Sequence, residues 1–336
     1  SSLGYVANVW KEASAAVYTT IGDPRDLLTC PPVDASWFPV KELAPSHISY
    51  FNLHGIEDGS EWYGQRSAND FGSTPEYPVA LRPADVLNSG RAPVIVFSEA
   101  CYGANILGKK IGEALCLRFL ECGTRALVGS TKIAYGSVTT PLIGADLLGR
   151  LFWQNANAGL PVGEALRRAK LQMAQEMHDR QGFLDGEDQK TLISFVLYGD
   201  PLATMPGVRS TKEAKRLPAP RFVEPPATVC DKANGDRAVS PEVVAQIKTV
   251  VARYLPGMND AEWRVAHAHA RCTAQHACPT AHLAVRAKYA SSLHHDPHTT
   301  VVTLSKTLRA DARTHPHYAR ITLDEKGAII KLAVSR

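Results

Sequence analysis

Between Ser46 and Gly199 the chain alternates short apolar runs with stretches of helical spacing, and no other feature of the sequence narrows the fold as far. The run SHISYFNLHG (46–55) is aromatic and β-branched and stops at a glycine beside a histidine, which predicts a buried strand delivering His54 to its carboxyl end. In RAPVIVFSEACYGAN (91–105) a second buried run, Val94–Phe97, ends in small and polar residues around Cys101. Apolar residues at 106, 107, 111, 115 and 119 predict a helix over 105–122, and TRALVGS (124–130) follows as another buried strand. Helical patterning returns over 139–158 and 162–178, the latter with Ala165, Leu166, Ala169, Met173 and Met177 along one side, and LISFVLYGDP (192–201) reads as one more strand. Strands that alternate with helices in this way imply an α/β fold, a mostly parallel sheet with helices on both faces.

A length of 336 residues accommodates two domains. The boundary falls where residues 206–239 turn rich in Pro, Lys, Arg and Glu without apolar period, a surface linker between a first domain (1–205) and a second (240–336). Ser240-Pro241 is an N-cap and first-turn pair for a helix to about Tyr254, stopped by Leu255-Pro256-Gly257. Segments 262–272, 280–290, 299–309 and 317–334 then alternate apolar and polar residues, with a turn at Asp324–Gly327, so the second domain is a small α+β unit with an antiparallel sheet. The fractions of apolar (45%) and charged (21%) residues exclude a disordered chain, and a net charge of +4 is too small to mark a nucleic-acid binder. No apolar run is long enough for a membrane span.

Ligands of an open parallel sheet bind outside the carboxyl ends of its strands, where His54 and Cys101 are both placed. A cysteine peptidase needs a thiolate nucleophile and an imidazole that helps form it and then protonates the leaving amine, and these two residues supply both groups. Gly55 leaves its backbone unobstructed, so its N–H and that of Cys101 are the candidates to hold the oxyanion. The plainer alternative makes Cys101 a small buried apolar group and His54 a hydrogen-bonded loop residue.

The string Ser98-Glu99-Ala100-Cys101-Tyr102-Gly103, with the His54-Gly55 strand end upstream of it, resembles the clan of cysteine peptidases that includes caspases, legumains, clostripains and gingipains. GTRALVGSTKIAYGS (123–137), Gly163-Glu164-Ala165-Leu166 and LYGDP (197–201) are similar to the corresponding stretches of gingipain-type peptidases, so the resemblance covers roughly residues 46–205. It implies a caspase-like sheet and a cysteine endopeptidase with Cys101 as nucleophile and His54 as general acid/base. Glu99, two residues before the nucleophile, stands where clan members that prefer basic residues carry an acid facing the first specificity pocket, which implies cleavage after Arg or Lys; the alternative is a structural carboxylate. Ser130 and Thr131 are expected to line the substrate cleft. Glu57, Asp58 and Glu61 in the loop after His54 are candidates to orient the imidazole or to hold Ca²⁺, or are simply solvated.

No organic cofactor is required. The expected partner is a protein or peptide substrate, and the relatives' habit of cutting themselves adds activation by processing, with a cleaved amino-terminal fragment as a further partner. Because the resembling fold has strands before its His-Gly strand, an amino-terminal part of the sheet is expected from sequence outside this chain, and Ser1 reads as a processed or trimmed start. The main alternative is an inactive caspase-like scaffold whose carboxyl-terminal domain binds a partner. A nucleotide-binding reading lacks the Gly-rich phosphate loop. In the second domain, His267, His269, Cys272, His276, Cys278 and His282 match no familiar zinc spacing, so no metal site is assigned. A Cys272–Cys278 disulfide closing a hairpin is the more attractive reading, and with it a secreted or periplasmic location over a cytoplasmic one. The seven cysteines include no CxxC pair.

Overall fold

The structure, a computed structural model, describes residues 1–39, 43, 46–67, 75–87, 92–181, 184–208, 239–268, 299–310 and 313–336. In chain order its first part holds β1 (Ser2–Ala7), α1 (Lys11–Tyr18), β2 (Leu28–Cys30), β3 (Ile48–Asn52), β4 (His54–Gly55), β5 (Trp62–Tyr63), β6 (Val79–Leu81) and β7 (Ile95–Ser98). It continues with α2 (Leu115–Glu121), β8 (Ala126–Ser130), β9 (Tyr135–Gly136), α3 (Gly144–Asn157), α4 (Val162–Gln181), α5 (Gly186–Ser194) and β10 (Phe195–Gly199). The second part contributes α6 (Pro241–Tyr254), β11 (Glu262–Ala268), β12 (Thr299–Ala310), β13 (Arg313–Leu323) and β14 (Ile329–Ser335).

Six strands form the central sheet in the order β10-β8-β7-β3-β1-β2, all parallel except β10, which runs antiparallel to β8. Alternate residues of each strand feed opposite faces. Val6, Tyr50, Phe97 and Val128 join one apolar cluster with Leu148, Phe152 and Trp153 of α3 and Ala165, Ala169 and Met173 of α4. Tyr5, Phe51, Val96 and Leu127 join a second cluster, which includes Cys116 and Phe119 of α2 and extends to Ile247 of α6 and Val302, Leu304 and Ile321 of the second part. The expected α/β architecture is what the chain folds into.

The helix expected over 105–122 is shorter than its apolar spacing suggests. Gly108 takes φ +70°, and Lys110 and Ala114 are extended, so α2 forms only from Leu115 and leaves Leu107 88% exposed. The last sheet strand also begins later than expected: Leu192–Ser194 belong to α5, whose N-cap Asp185 accepts a hydrogen bond from the Asp188 N–H at 3.0 Å. Ahead of the His-Gly strand, β1 and β2 enter the sheet from residues in which the sequence reading placed no element.

In the second part Ser240 caps α6 through the Val243 N–H, as expected. A five-stranded antiparallel sheet runs β11-β12-β13-β14-β9, so its last strand is supplied by the first part. The expected strand at 280–290, the Cys272–Cys278 pair, His269, His276 and His282, and most of the linker lie outside the described residues. Among the described residues no helix is long and apolar enough to cross a membrane.

A buried ionic cluster fastens this sheet to the first part. Lys331 Nζ of β14 lies 2.6 Å from Asp185 and 2.8 Å from Asp188, and Arg320 of β13 lies 2.7 Å from Glu187. Burial works against both charges of the Lys331–Asp185 pair, but pairing overrides it, holding Lys331 above its ordinary pKa and Asp185 below its own. Lys331→Met should therefore destabilise the chain by about 3–5 kcal/mol in urea titration, because the acids are left buried without their cation. A loss below about 1 kcal/mol would show that the cluster does not fasten the two parts.

Candidate active site

Strands β3 and β7 are adjacent and parallel, with Phe51 opposite Ser98, so the residues that follow them leave the sheet at the same edge. Here the backbones of Gly55 and Cys101 meet: a methyl group at Gly55 would overlap the Cys101 carbonyl oxygen, and only glycine fits. Directly after Cys101, Tyr102 takes φ +56°, the only positive φ of a non-glycine residue among those described. That turn is held by hydrogen bonds from Tyr102 N–H to Lys132 O (2.9 Å), Gly103 N–H to Ala100 O (3.0 Å) and Ala104 N–H to Ser130 O (2.9 Å).

Cys101 is fully buried and unpaired as a disulfide, and its Sγ accepts a hydrogen bond from Ala134 N–H at 3.3 Å. Burial pushes its thiol up to about 12, against the opposing pull of the Ala134 and Arg336 backbone amides. His54 is 3% exposed and packs against Trp10 and Tyr77, with ring centroids 4.4 and 5.4 Å away. Its Nε2–H donates to Gln65 Oε1 at 2.8 Å, and Gln65 Nε2 in turn donates to the Tyr77 hydroxyl at 3.2 Å. Burial first and the neighbouring His317 second hold the imidazole well below its ordinary pKa, in the neutral form.

The acids that were candidates to orient this ring stand elsewhere. Glu57 pairs with Lys132 at 3.4 Å, Glu61 accepts from the Tyr63 hydroxyl at 3.3 Å, and Asp58 sits in an exposed turn, whereas Gln65 is the group that holds the ring. Gln65 is brought there by β5, which returns antiparallel to β4 with His54 opposite Tyr63.

Beside Cys101 the space is filled by the chain's own residue 336. Val334 and Ser335 of β14 pair with Gly136 and Tyr135 of β9, and Arg336 N–H donates to Ala134 O at 3.0 Å, so residues 334–336 run along 134–136 as an added antiparallel strand. The Arg336 side chain is completely buried. Its guanidinium pairs with Asp146, donates to Ser137 O at 2.7 Å and stacks on Trp10 with 4.2 Å to the ring centroid. Asp146 lies in the first turn of α3 and is itself held by Ser137 N–H at 2.6 Å and Asn52 Nδ2 at 3.2 Å. Gly136 leaves the room: a methyl group there would overlap both the guanidinium and the Asp146 carboxylate.

Glu99 lies at this pocket, though farther from the cation than Asp146. Its Oε1 accepts from the Tyr50 hydroxyl at 2.7 Å and its Oε2 is 3.8 Å from Arg336 Nε. Burial, and next the charge of Asp146, push its carboxyl well above the ordinary range. Ser130 Oγ donates to Lys132 O at 2.9 Å and is hydrogen-bonded to Ser194 Oγ at 3.0 Å, and Thr131 Oγ1 donates to Ser194 O at 3.2 Å, so both hydroxyls tie the loop after β8 to α5. Sequence reasoning missed Asp146, Trp10, Gln65 and Arg336. Of these Asp146 falls inside the helical pattern expected over 139–158, where an acid is ordinary; only the observed start of α3 at Gly144 puts it in a first turn.

No curated protein matches the chain. Residues 46–206, which carry β3 to β10 with His54, Glu99, Cys101 and Asp146, match the family model of peptidase family C25. That span is therefore similar to peptidase family C25, the gingipain family of clan CD cysteine peptidases.

Proposed function

We propose that the chain is a cysteine endopeptidase that cleaves after arginine, and after lysine less readily, with Cys101 as nucleophile and His54 as general acid/base. The observation that carries the reading is Arg336, which lies in an acidic, aromatic-walled pocket next to the cysteine, on a backbone paired in the manner of a bound peptide. Asp146 takes the guanidinium, Trp10 stacks on it and Glu99 backs the pocket. Lysine would keep the charge and lose the planar stack and the forked hydrogen bonding.

In the reaction His54 takes the proton of the Cys101 thiol as the sulfur attacks the scissile carbonyl carbon, and the oxyanion that forms is held by the N–H groups of Gly55 and Cys101. The C–N bond then breaks, the amine leaves with a proton delivered by His54, and water hydrolyses the remaining thioester to release the carboxylate and restore the thiol. Ser130 and Thr131 serve the cleft wall by anchoring the 130–134 loop. Since residues 334–336 fill the cleft, turnover requires β14 to withdraw, which suits activation by proteolysis.

The test is hydrolysis of fluorogenic peptides Leu-Ala-Val-Ser-X, with X as Arg, Lys, Asn or Asp, by the native chain and by Arg336→Ala. Arg should be cut fastest, and the variant should exceed the native chain by about tenfold or more because its cleft no longer holds the competing side chain. Preference for Asp or Asn, or the absence of hydrolysis by either protein, would refute the assignment.

A further inference from the structure

We infer that His54, His315 and His317 form a binding site for a divalent transition metal of the zinc class. His315 and His317 stand two residues apart on β13, and their side chains are buried while Thr314 and Pro316 between and beside them are exposed, so both point from the second part toward His54. Ring centroids of His54 lie 5.3 Å from His317 and 6.5 Å from His315, and one nitrogen of each of the three rings falls within 4.8 Å of the others.

The hydrogen bonds leave ligand atoms free. His54 donates Nε2–H to Gln65, which fixes a lone pair on Nδ1, and this buried Nδ1 has no hydrogen-bond partner. His315 Nε2 is likewise buried without a partner. His317 Nδ1 sits 2.9 Å from Ser335 Oγ, which already accepts from Tyr318 N–H at 2.9 Å; donation from Nδ1–H to that oxygen leaves the His317 Nε2 lone pair for a ligand. Gln65 and Ser335 thus stand where outer partners of metal-bound imidazoles stand. The facing cation, Arg336, is offset by its pairing with Asp146. Three imidazoles suit Zn²⁺ or Co²⁺.

Binding there would tie up His54 Nδ1. Loss of peptidase activity on metal binding follows only if the function proposed above is right; the metal site itself does not depend on it. The full-length chain is to be titrated with Co²⁺, read by its visible absorption, and with Zn²⁺ by calorimetry, alongside His315→Phe, His317→Phe and Gln65→Leu. Because the chain has 12 histidines, the quantity of interest is the equivalent of metal lost on substitution. Native protein should show one tetrahedral Co²⁺ equivalent more than either Phe variant. Gln65→Leu, which keeps all three rings, should weaken that equivalent by about 10–100-fold. Equal stoichiometry and affinity in all four proteins would overturn the site. An equivalent that is lost as expected, in a chain without peptidase activity, would leave the site standing and count against the function alone.

Discussion

Cys101→Ala should reduce hydrolysis of an arginyl peptide by at least about 10⁴-fold, to the uncatalysed level, and His54→Ala should reduce it nearly as far. Two groups that act in the same bond-breaking steps lose their effect together, so the double variant should be scarcely slower than either single one. The Arg336→Ala background is the one in which to measure this, since the native thiol is completely buried with its pKa pushed up to about 12. Withdrawal of β14 would expose it to water and remove the desolvation that disfavours the thiolate. Iodoacetamide should therefore label Cys101 faster in Arg336→Ala than in the native chain. Residual cleavage in Cys101→Ala above a few parts per thousand, or unchanged labelling, would contradict the roles given to these residues.

Asp146→Ala should have two separate consequences. Hydrolysis of arginyl peptides should fall by about 10²–10⁴-fold, while any slow cleavage after uncharged residues stays level, because the lost interaction is a charge-assisted pair in a dry pocket. The native-length chain should also lose about 3–5 kcal/mol in chemical denaturation, since Arg336 keeps its burial and loses its direct counter-charge. Glu99→Gln offers the contrast. It preserves a carbonyl oxygen for the Tyr50 hydroxyl and sits 3.8 Å from the cation, so its effect on arginyl cleavage should be about tenfold. If Glu99→Gln proved the more damaging, the pocket would be read through Glu99, as its place two residues before the cysteine suggests.

The sheet was legible because its strands are buried on both faces and read as unbroken apolar runs, and β3, β7 and β8 fall where such runs end in His54, Cys101 and Ser130. β1 was not, since Ser2–Ala7 mixes glycine and serine with its apolar residues and gains its place only by pairing with β2 and β3. The 105–122 pattern shows the reverse failure: helical spacing that becomes a helix only from Leu115, because Gly108 and an extended Lys110 intervene. In the site, Cys101 and His54 announced themselves by chemistry at strand tips. Trp10, Gln65, Asp146 and Arg336 come from four separate stretches of the chain and look ordinary in each; only tertiary structure sets them around one cleft.

The pairing of β14 with β9 also sets the scale on which an outside peptide must compete. A ligand carried on the same chain is present at an effective concentration of about millimolar or more, however dilute the protein, and it has already spent the entropy of its ordering in the fold of the second sheet. Dilution cannot release it. Occupancy of the cleft by other polypeptides is then governed by how often the last strand lifts from β9, so whatever loosens the Lys331 cluster or the β13–β14 hairpin raises the apparent affinity for every substrate by the same factor.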